Sequence, residues 1–188
     1  DEMIIGGGMA FTFNKVLNGT SIGSSLYDPE GAELVPEIMR KAQEKGVKIH
    51  LPTDFICADK FEESANVVTR TEAEGIDDGW LGLDIGPVTA ESNKAVINRA
   101  NTIFWNGPQG VFEMEPFAKG SMSMLDSIIQ ATSRGATSVA GGGDTVALLK
   151  KVKGSADKLS HVSTGGGASL ELVEGKQLPG VVALSDIE

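Results

Sequence analysis

The sequence predicts an α/β fold: an open parallel β-sheet with helices on both faces, in the three-layer arrangement of Rossmann-like domains. Short apolar strand candidates alternate with amphipathic helical segments along most of the 188 residues. The strands are apolar on both faces, as expected for a parallel sheet that is covered on both sides. Glycine triplets at 6–8, 141–143 and 165–167 each stand between a strand and a helix.

The individual elements follow from local patterns. Apolar and β-branched runs predict the strands, and apolar residues three or four apart predict the helices. The predicted elements in chain order are a strand at 3–5, a helix at 9–17, a helix beginning at 28–30, strands within 47–52, 54–59 and 79–87, a helix from 89, a strand at 102–105, a helix at 116–133, a strand at 137–140, a helix to about 151, a strand at 160–163 and a last helix ended by Gly175. Residues 60–78 are polar and acidic, and we expect a surface connection there.

Capping residues mark several helix boundaries. Gly19 follows the first helix as a typical C-terminal stop. Asp28 is the predicted N-cap of the next helix, with Pro29 at its first position. Pro36 lies inside that helix and predicts a kink or a later start. Thr89 is the predicted N-cap of the helix after the strand at 79–87.

Composition excludes several classes of partner. A formal net charge of −10 argues against nucleic acid and anionic membranes, because both need an electropositive surface. No apolar stretch approaches the roughly 20 residues of a membrane span, and no signal peptide is recognisable. Cys57 is the single cysteine, so a reducing compartment is expected and no intrachain disulfide can form. The chain lacks an initiating Met and starts just before a strand, as we expect of a piece of a longer polypeptide.

The glycine triplets predict a phosphate site. In an open parallel sheet, strand-to-helix turns lie at the carboxyl edge, where ligands bind. Glycine lets a ligand approach the backbone closely, and the helix that follows offers unpaired N–H groups to an anion. Such a cradle needs no basic side chain, which suits an acidic protein. The alternative is that the glycines serve only tight turns and close packing.

The best-known phosphate motifs do not fit these triplets. The dinucleotide motif G-x-G-x-x-G lacks its third glycine, because Phe11, Val146 and Leu170 occupy the required positions. The sequence contains no Walker-A pattern. A nicotinamide-dependent dehydrogenase is the first alternative function for this chain. The spacing of the glycines disfavours it.

Acidic residues beside the predicted strand ends are candidate ligand-binding groups. Asp144 can cap its helix, or it can hold Mg²⁺, which prefers one or two carboxylates together with phosphate oxygens. Thr145 can donate its hydroxyl to a phosphate. Asp84 and Glu113 can each hold a ribose hydroxyl, or simply be solvated.

Five motifs in order resemble the phosphoglycerate kinase family. They are IIGGGMAFTF, GWLGLDIGP, WNGPQGVFE, GGGDTVA and SHVSTGGGASLELVEGK. The match covers essentially the whole chain and corresponds to the C-terminal, nucleotide-binding half of that two-lobed enzyme. The resemblance implies phosphoryl transfer from 1,3-bisphosphoglycerate to MgADP, which gives 3-phosphoglycerate and MgATP in glycolysis.

The resemblance also implies a role for each matching residue. The adenine pocket would include Gly7, Gly8, Gly82 and Leu83; Glu113 would bind the ribose; Asn106 would contact the triphosphate; and Gly142, Gly143, Asp144 and Thr145 would form the phosphate turn. Asp144 would reach the Mg²⁺ ion that accompanies ADP or ATP. Gly142 and Gly166 would be the catalytic positions, because their backbone N–H groups face the transferring phosphoryl group.

The resemblance further implies that half of the enzyme lies outside this chain. In the family a basic N-terminal lobe holds the phosphoglycerate, and the lysines that contact the phosphates lie upstream of Asp1. Residues 1–177 are predicted to be the nucleotide-binding domain, and 178–188 an extended tail that returns to the N-terminal lobe. We expect the full-length protein to be a cytoplasmic monomer. The second alternative is a stand-alone nucleotide-binding module without catalysis.

Overall fold

The computed structural model describes residues 1–163 and 165–185. Its helices are α1 (Gly7–Asn18), α2 (Pro29–Lys45), α3 (Pro87–Arg99), α4 (Lys119–Ser133), α5 (Gly143–Lys151), α6 (Gly166–Val173) and α7 (Pro179–Val182). Its strands are β1 (Glu2–Ile4), β2 (Lys48–His50), β3 (Asp54–Ala58), β4 (Val67–Thr71), β5 (Leu81–Ile85), β6 (Thr102–Asn106), β7 (Thr137–Gly141) and β8 (His161–Val162). Strands alternate with helices as the sequence predicts.

The strands form three small sheets. β1 pairs with β2, and β7 pairs with both β6 and β8, all in parallel. The third sheet has the order β4-β3-β5, and both of its pairings are antiparallel. The α/β class with parallel sheets and flanking helices is confirmed, whereas the expectation that every strand is parallel is wrong.

The segment 60–78 is not merely a surface connection, because it contains β4. Along β4 the side chains of Val68 and Arg70 are half-buried while their neighbours are exposed. This alternation is that of a strand with one solvated face. It is easily missed, because only one side of the strand carries a packing signal and the surrounding residues are acidic.

In the part of the chain that the structure describes, the buried apolar side chains form four clusters. The largest lies between the β6-β7-β8 sheet and helices α3, α4 and α5, and it contains Ile97, Trp105, Phe112, Ala118, Met124, Leu125, Ile128, Ala131, Ala140, Leu148, Leu149 and Leu159. A second cluster packs Phe11 of α1 against Phe55 of β3, with ring centroids 5.3 Å apart. In the largest cluster, the buried side chain of Phe112 holds the loop after β6 against α4 and α5.

An ion-pair network connects β1 to β2 and α3. The Glu2 carboxylate accepts hydrogen bonds from Arg99 Nε at 2.7 Å and Arg99 Nη2 at 2.5 Å, and it also contacts His50 Nε2. The hydrogen bonds from Arg99, followed by the contact with His50, lower the pKa of Glu2 to about 2. The short first strand is therefore fixed by side chains as well as by its backbone ladder.

Helix α2 begins as the sequence predicts. The Asp28 side chain accepts from Glu30 N at 3.1 Å, and Pro29 is the first helical residue. Gly46 adopts a left-handed conformation and ends the helix. The helix runs without interruption through Pro36, so the predicted later start is wrong.

The N-terminus of α3 is capped from another strand rather than by Thr89. The helix begins at Pro87, and its N-cap Gly86 has no side chain to offer. Buried Asp54 of β3 accepts from Val88 N at 3.0 Å and from Thr89 N at 2.8 Å. The Thr89 hydroxyl also donates to the Asp54 carboxylate and accepts from Asp54 N. The prediction that Thr89 is the N-cap is therefore wrong, although Thr89 does lie in the first turn of the helix.

The predicted tail is only partly extended. Within the described part of 178–188, α7 occupies Pro179–Val182, and its exposed side chains include Val181 and Val182. Residues 186–188 lie outside the described residues. Over the ranges that the structure describes, no helix combines the length and apolar character needed to cross a membrane.

Replacing Asp54 tests the cap on α3. Asp54→Ala leaves the buried N–H of Thr89 and the partly buried N–H of Val88 without their acceptor, so we expect the free energy of unfolding to fall by about 2 kcal/mol. Urea denaturation measures the change, with exposed Asp78→Ala as the control. Equal stability of the two variants would contradict the cap.

Candidate functional site

The carboxyl ends of β6, β7 and β8 lie at one edge of their sheet. Asn106, the last residue of β6, is the register partner of Gly141, the last residue of β7. Ser163, just beyond β8, donates its N–H to the Ala140 carbonyl at 2.7 Å. The second and third glycine triplets therefore follow neighbouring strands. The three strand-to-helix glycine turns are expected to line one sheet edge together; the second and third do, whereas the first follows β1, which belongs to a separate two-stranded sheet.

The second and third triplets are in backbone contact. A Cβ atom on Gly166 would lie 2.8 Å from Gly142 Cα and 3.0 Å from Gly142 N. Gly142 has φ of +92°, and a Cβ atom there would overlap Asn106 Oδ1. Neither position has room for a side chain, and Gly142 also has a backbone conformation that favours glycine. Close packing alone therefore requires glycine at both positions, whether or not they bind phosphate.

Glycines occupy the N-cap positions of the helices that leave these turns. Gly142 is the N-cap of α5 and Gly165 that of α6, and among the residues that the structure describes no side chain caps either helix. Asp144 lies in the first turn of α5 and is exposed. N–H groups at a helix start attract anions in general, and the Asp144 carboxylate lies beside the start of α5.

Thr145 connects this edge to the loop after β6. Its side chain is fully buried, and its hydroxyl accepts the N–H of Gly107 at 2.7 Å. The hydroxyl oxygen thus accepts one hydrogen bond within the protein. The role of Thr145 as a phosphate donor stays a prediction.

The first triplet lies against the same loop. A Cβ atom on Gly6 would overlap the Gln109 side chain, and one on Gly7 would lie 3.4 Å from the Pro108 carbonyl. The exposed side chain of Leu26 covers Gly8, with its Cδ1 2.7 Å from the Cβ position. The loop 106–109 thus touches both the first and the second triplet.

Gly82 and Leu83 lie within the packed interior of β5. The Phe11 ring occupies the space beside Gly82, and Gly82 N donates to Ser25 Oγ at 2.9 Å. Leu83 packs with Ala58 and Phe117. The described contacts join these two residues to core side chains rather than to the second or third triplet, so their role in an adenine pocket stays a prediction.

Glu113 is exposed and borders a cleft of about 820 Å³ along α4. The charged residues that also line the cleft are Glu63, Lys94, Glu115, Lys119, Asp126 and Lys151. Lys151 Nζ donates to the carbonyls of Phe112 at 2.8 Å and Glu113 at 3.2 Å. The backbone around Glu113 is therefore held by the last residue of α5.

Asp84 is buried, so the expectation that it is solvated is wrong; its role in holding a ribose hydroxyl stays a prediction. It is 3% exposed and accepts from Gly120 N at 2.7 Å and Ile85 N at 2.9 Å. A Cβ atom on Gly110 or Gly120 would overlap its carboxyl group. Burial raises the pKa of Asp84 to about 7, while the two backbone hydrogen bonds act in the opposite direction. Asp84 fixes the start of α4 against the loop.

Ser121 completes this attachment of the loop. Its hydroxyl is fully buried and accepts from Gln109 N at 2.9 Å and Gly110 N at 3.3 Å. The contact between Gln109 and Ser121 could not be predicted from the sequence, because no local pattern shows that a serine on a helix will accept hydrogen bonds from the amides of a loop 11 to 12 residues away.

The described residues contain no group of three or more His, Cys, Asp or Glu side chains that could hold a metal. Asp144, the residue predicted to bind Mg²⁺, lies in the first turn of α5 beside the second glycine triplet. Cys57 is fully buried, and burial raises the pKa of its thiol to about 12, as expected of a structural cysteine.

Comparison with known proteins decides the family. The family model described as phosphoglycerate kinase matches residues 1–176. The chain belongs to the phosphoglycerate kinase family. A phosphoglycerate kinase of Sterkiella nova is 72% identical over 187 residues, and human phosphoglycerate kinase 1 is 57% identical over 187 residues. These alignments cover 99% and 100% of this chain.

A solved structure of phosphoglycerate kinase from Coxiella burnetii superimposes with a TM-score of 0.89 at 40% identity, covering 97% of this chain and 46% of that one. The predicted α/β class therefore agrees with solved structures of the family. The chain spans about 45% of the length of the two relatives named above. The activity of a whole family member is consequently a matter for proposal.

Two neighbouring glycines test the contact between the second and third triplets. Gly166→Ala places a methyl group against Gly142, so we expect a loss of about 1–3 kcal/mol in the free energy of unfolding from overpacking. Gly167→Ala is the matched control, because the space around Gly167 is open and alanine favours helix. Denaturant titration compares the variants, and a Gly166→Ala protein as stable as Gly167→Ala would refute the contact.

The pKa of Asp84 predicts a stability change with pH. Because the folded-state pKa of about 7 lies above the ordinary aspartate value of about 3.8, the contribution of Asp84 is fully present below about pH 4 and is lost as pH rises through 7. From pH 5 to pH 8 we expect the unfolding free energy of wild type to fall by about 2 kcal/mol relative to that of Asp84→Asn, which cannot titrate at this position. Urea titrations at both pH values measure it, and a constant or growing difference would contradict the buried assignment.

Proposed function

We propose that this chain is the C-terminal, nucleotide-binding half of a phosphoglycerate kinase. In the proposed reaction, a phosphoryl group passes between 1,3-bisphosphoglycerate and MgADP to give 3-phosphoglycerate and MgATP. Residues 1–177 would form the nucleotide-binding domain, and 178–188 the tail that returns to the other lobe. One observation carries this proposal: in a chain of this family, Asn106 and the glycine turns that begin α5 and α6 lie together at one edge of the sheet.

The phosphates would lie on the uncapped starts of α5 and α6. There the backbone N–H groups of Gly142, Gly143 and Gly166 would face negative charge that develops on the transferring group. The side chain of Asn106, which lies beside Gly142, would contact the triphosphate. Preorganised donors suit phosphoryl transfer, because it depends on positioning and charge neutralisation rather than on a covalent nucleophile.

The adenosine would extend from this edge toward the first triplet. Gly7 lies near the Pro108 carbonyl, and Gly8 lies beside the exposed, apolar side chain of Leu26. Gly82 and Leu83 would support the adenine pocket from β5. Glu113 would accept the ribose hydroxyls at the mouth of the neighbouring cleft.

The residues present fit Mg²⁺ that arrives with the nucleotide. Mg²⁺ typically takes one or two carboxylates, phosphate oxygens and water. An exposed Asp144 beside an anion-binding edge supplies one such carboxylate and leaves the remaining positions to the phosphates. The ion would neutralise phosphate charge, while Asp144 would hold and orient the complex.

Catalysis would require the other lobe, which would hold 3-phosphoglycerate or 1,3-bisphosphoglycerate and supply the basic side chains. A cytoplasmic, monomeric enzyme is our proposal for the complete protein. Because this chain spans about 45% of its named relatives, nucleotide binding without catalysis is the second candidate for the chain alone.

Asp144→Ala tests the proposed metal contact. Loss of the carboxylate should weaken MgADP binding at least about tenfold while changing metal-free ADP much less, because the lost contact is to the ion. Isothermal calorimetry measures both affinities, and exposed Asp157→Ala serves as the control.

Two results would argue against the proposal in different ways. Equal losses for MgADP and ADP would leave Asp144 only a favourable interaction with the N-terminal end of the α5 dipole, since its side chain does not cap the helix. A wild-type chain that binds NAD but neither ADP nor ATP would refute the kinase assignment itself.

A further inference from the structure

Helix α5 contacts the loop 107–113 at both of its ends. At its start, Thr145 Oγ1 accepts the N–H of Gly107 at 2.7 Å. At its last residue, Lys151 Nζ donates to the carbonyls of Phe112 at 2.8 Å and Glu113 at 3.2 Å. One helix therefore fixes both ends of the loop that carries Glu113.

Other contacts hold the loop between the two anchors. Next to Gly107, the amides of Gln109 and Gly110 bind Ser121, and Gly110 packs on Asp84. Farther along, Val111 N donates to the Leu83 carbonyl at 2.9 Å, and Phe112 is buried in the core. The Glu113 side chain is exposed, and its carbonyl accepts from Lys151.

We propose that Lys151 is a positioning residue for Glu113. Its ammonium group bridges two successive carbonyls and fixes the backbone orientation from which the Glu113 side chain extends. The same helix begins with Gly143 and Asp144, so the phosphate turn and the ribose-binding residue are connected through one rigid element. This inference rests on the proposed function for the role of Glu113, whereas the anchoring of the loop stands on the contacts alone.

The chemistry of the contact suits this role. An ammonium group has three N–H donors, and two of them are used by the carbonyls of Phe112 and Glu113. Hydrogen bonds from a charged donor are stronger than neutral ones. Lys151 also lies at the C-terminal end of α5, where the helix dipole favours a cation. Lys150 shares that position and charge, so it provides a matched control.

The experiment compares Lys151→Met with Lys150→Met, since each removes one charge from the last turn of α5. Calorimetry with MgADP and with its 2′,3′-dideoxy analogue gives the preference for ribose hydroxyls, and Glu113→Gln defines the preference that remains without the carboxylate. We expect Lys151→Met to lower the preference by about tenfold, the value of one charged hydrogen bond. Lys150→Met should keep the wild-type preference.

Amide hydrogen exchange supplies a measurement that does not depend on any ligand. In the ligand-free chain, Lys151→Met should speed exchange at residues 112–114 relative to Lys150→Met and leave α5 itself protected. If wild type binds no adenine nucleotide, the proposed function fails, and exchange still decides whether Lys151 anchors the loop. Unchanged exchange in Lys151→Met, or an unchanged ribose preference in a chain that binds MgADP, would overturn the proposal.

Discussion

The contact between two glycine turns is the constraint on which the rest of the site depends. Gly142 and Gly166 approach so closely that a single Cβ atom between them would have to displace one helix start. This proximity brings the N-termini of α5 and α6 to one edge without any basic side chain at their caps. In a protein of net charge −10, local backbone dipoles are a physically reasonable source of attraction for phosphate.

The loop after β6 connects this edge to the remainder of the chain. It contacts the first triplet through Pro108 and Gln109, α5 through Thr145 and Lys151, and α4 through Ser121. Asp84 lies beneath it as a buried carboxyl group on which Gly110 and Gly120 pack. A loop with so many independent attachments can present an exposed side chain such as Glu113 in a fixed position.

Local patterns predicted much of this arrangement. The alternation of strands and helices, the N-cap at Asp28 and the glycine turns at the carboxyl ends of β7 and β8 all follow from short-range chemistry. The antiparallel pairing of β4 did not, because strand direction depends on partners that are distant in sequence. The same limit explains Asp54 and Asp84, whose carboxyl groups serve helices from other elements and whose burial no local pattern reveals.

A crystal structure of this chain with MgADP tests the central claim most directly. The account predicts that phosphate oxygens lie within hydrogen-bonding distance of the amides at the start of α5, with Mg²⁺ bound by Asp144 and the ribose beside Glu113. Nucleotide phosphates bound elsewhere on the surface, with the α5 and α6 turns free of ligand, would contradict it.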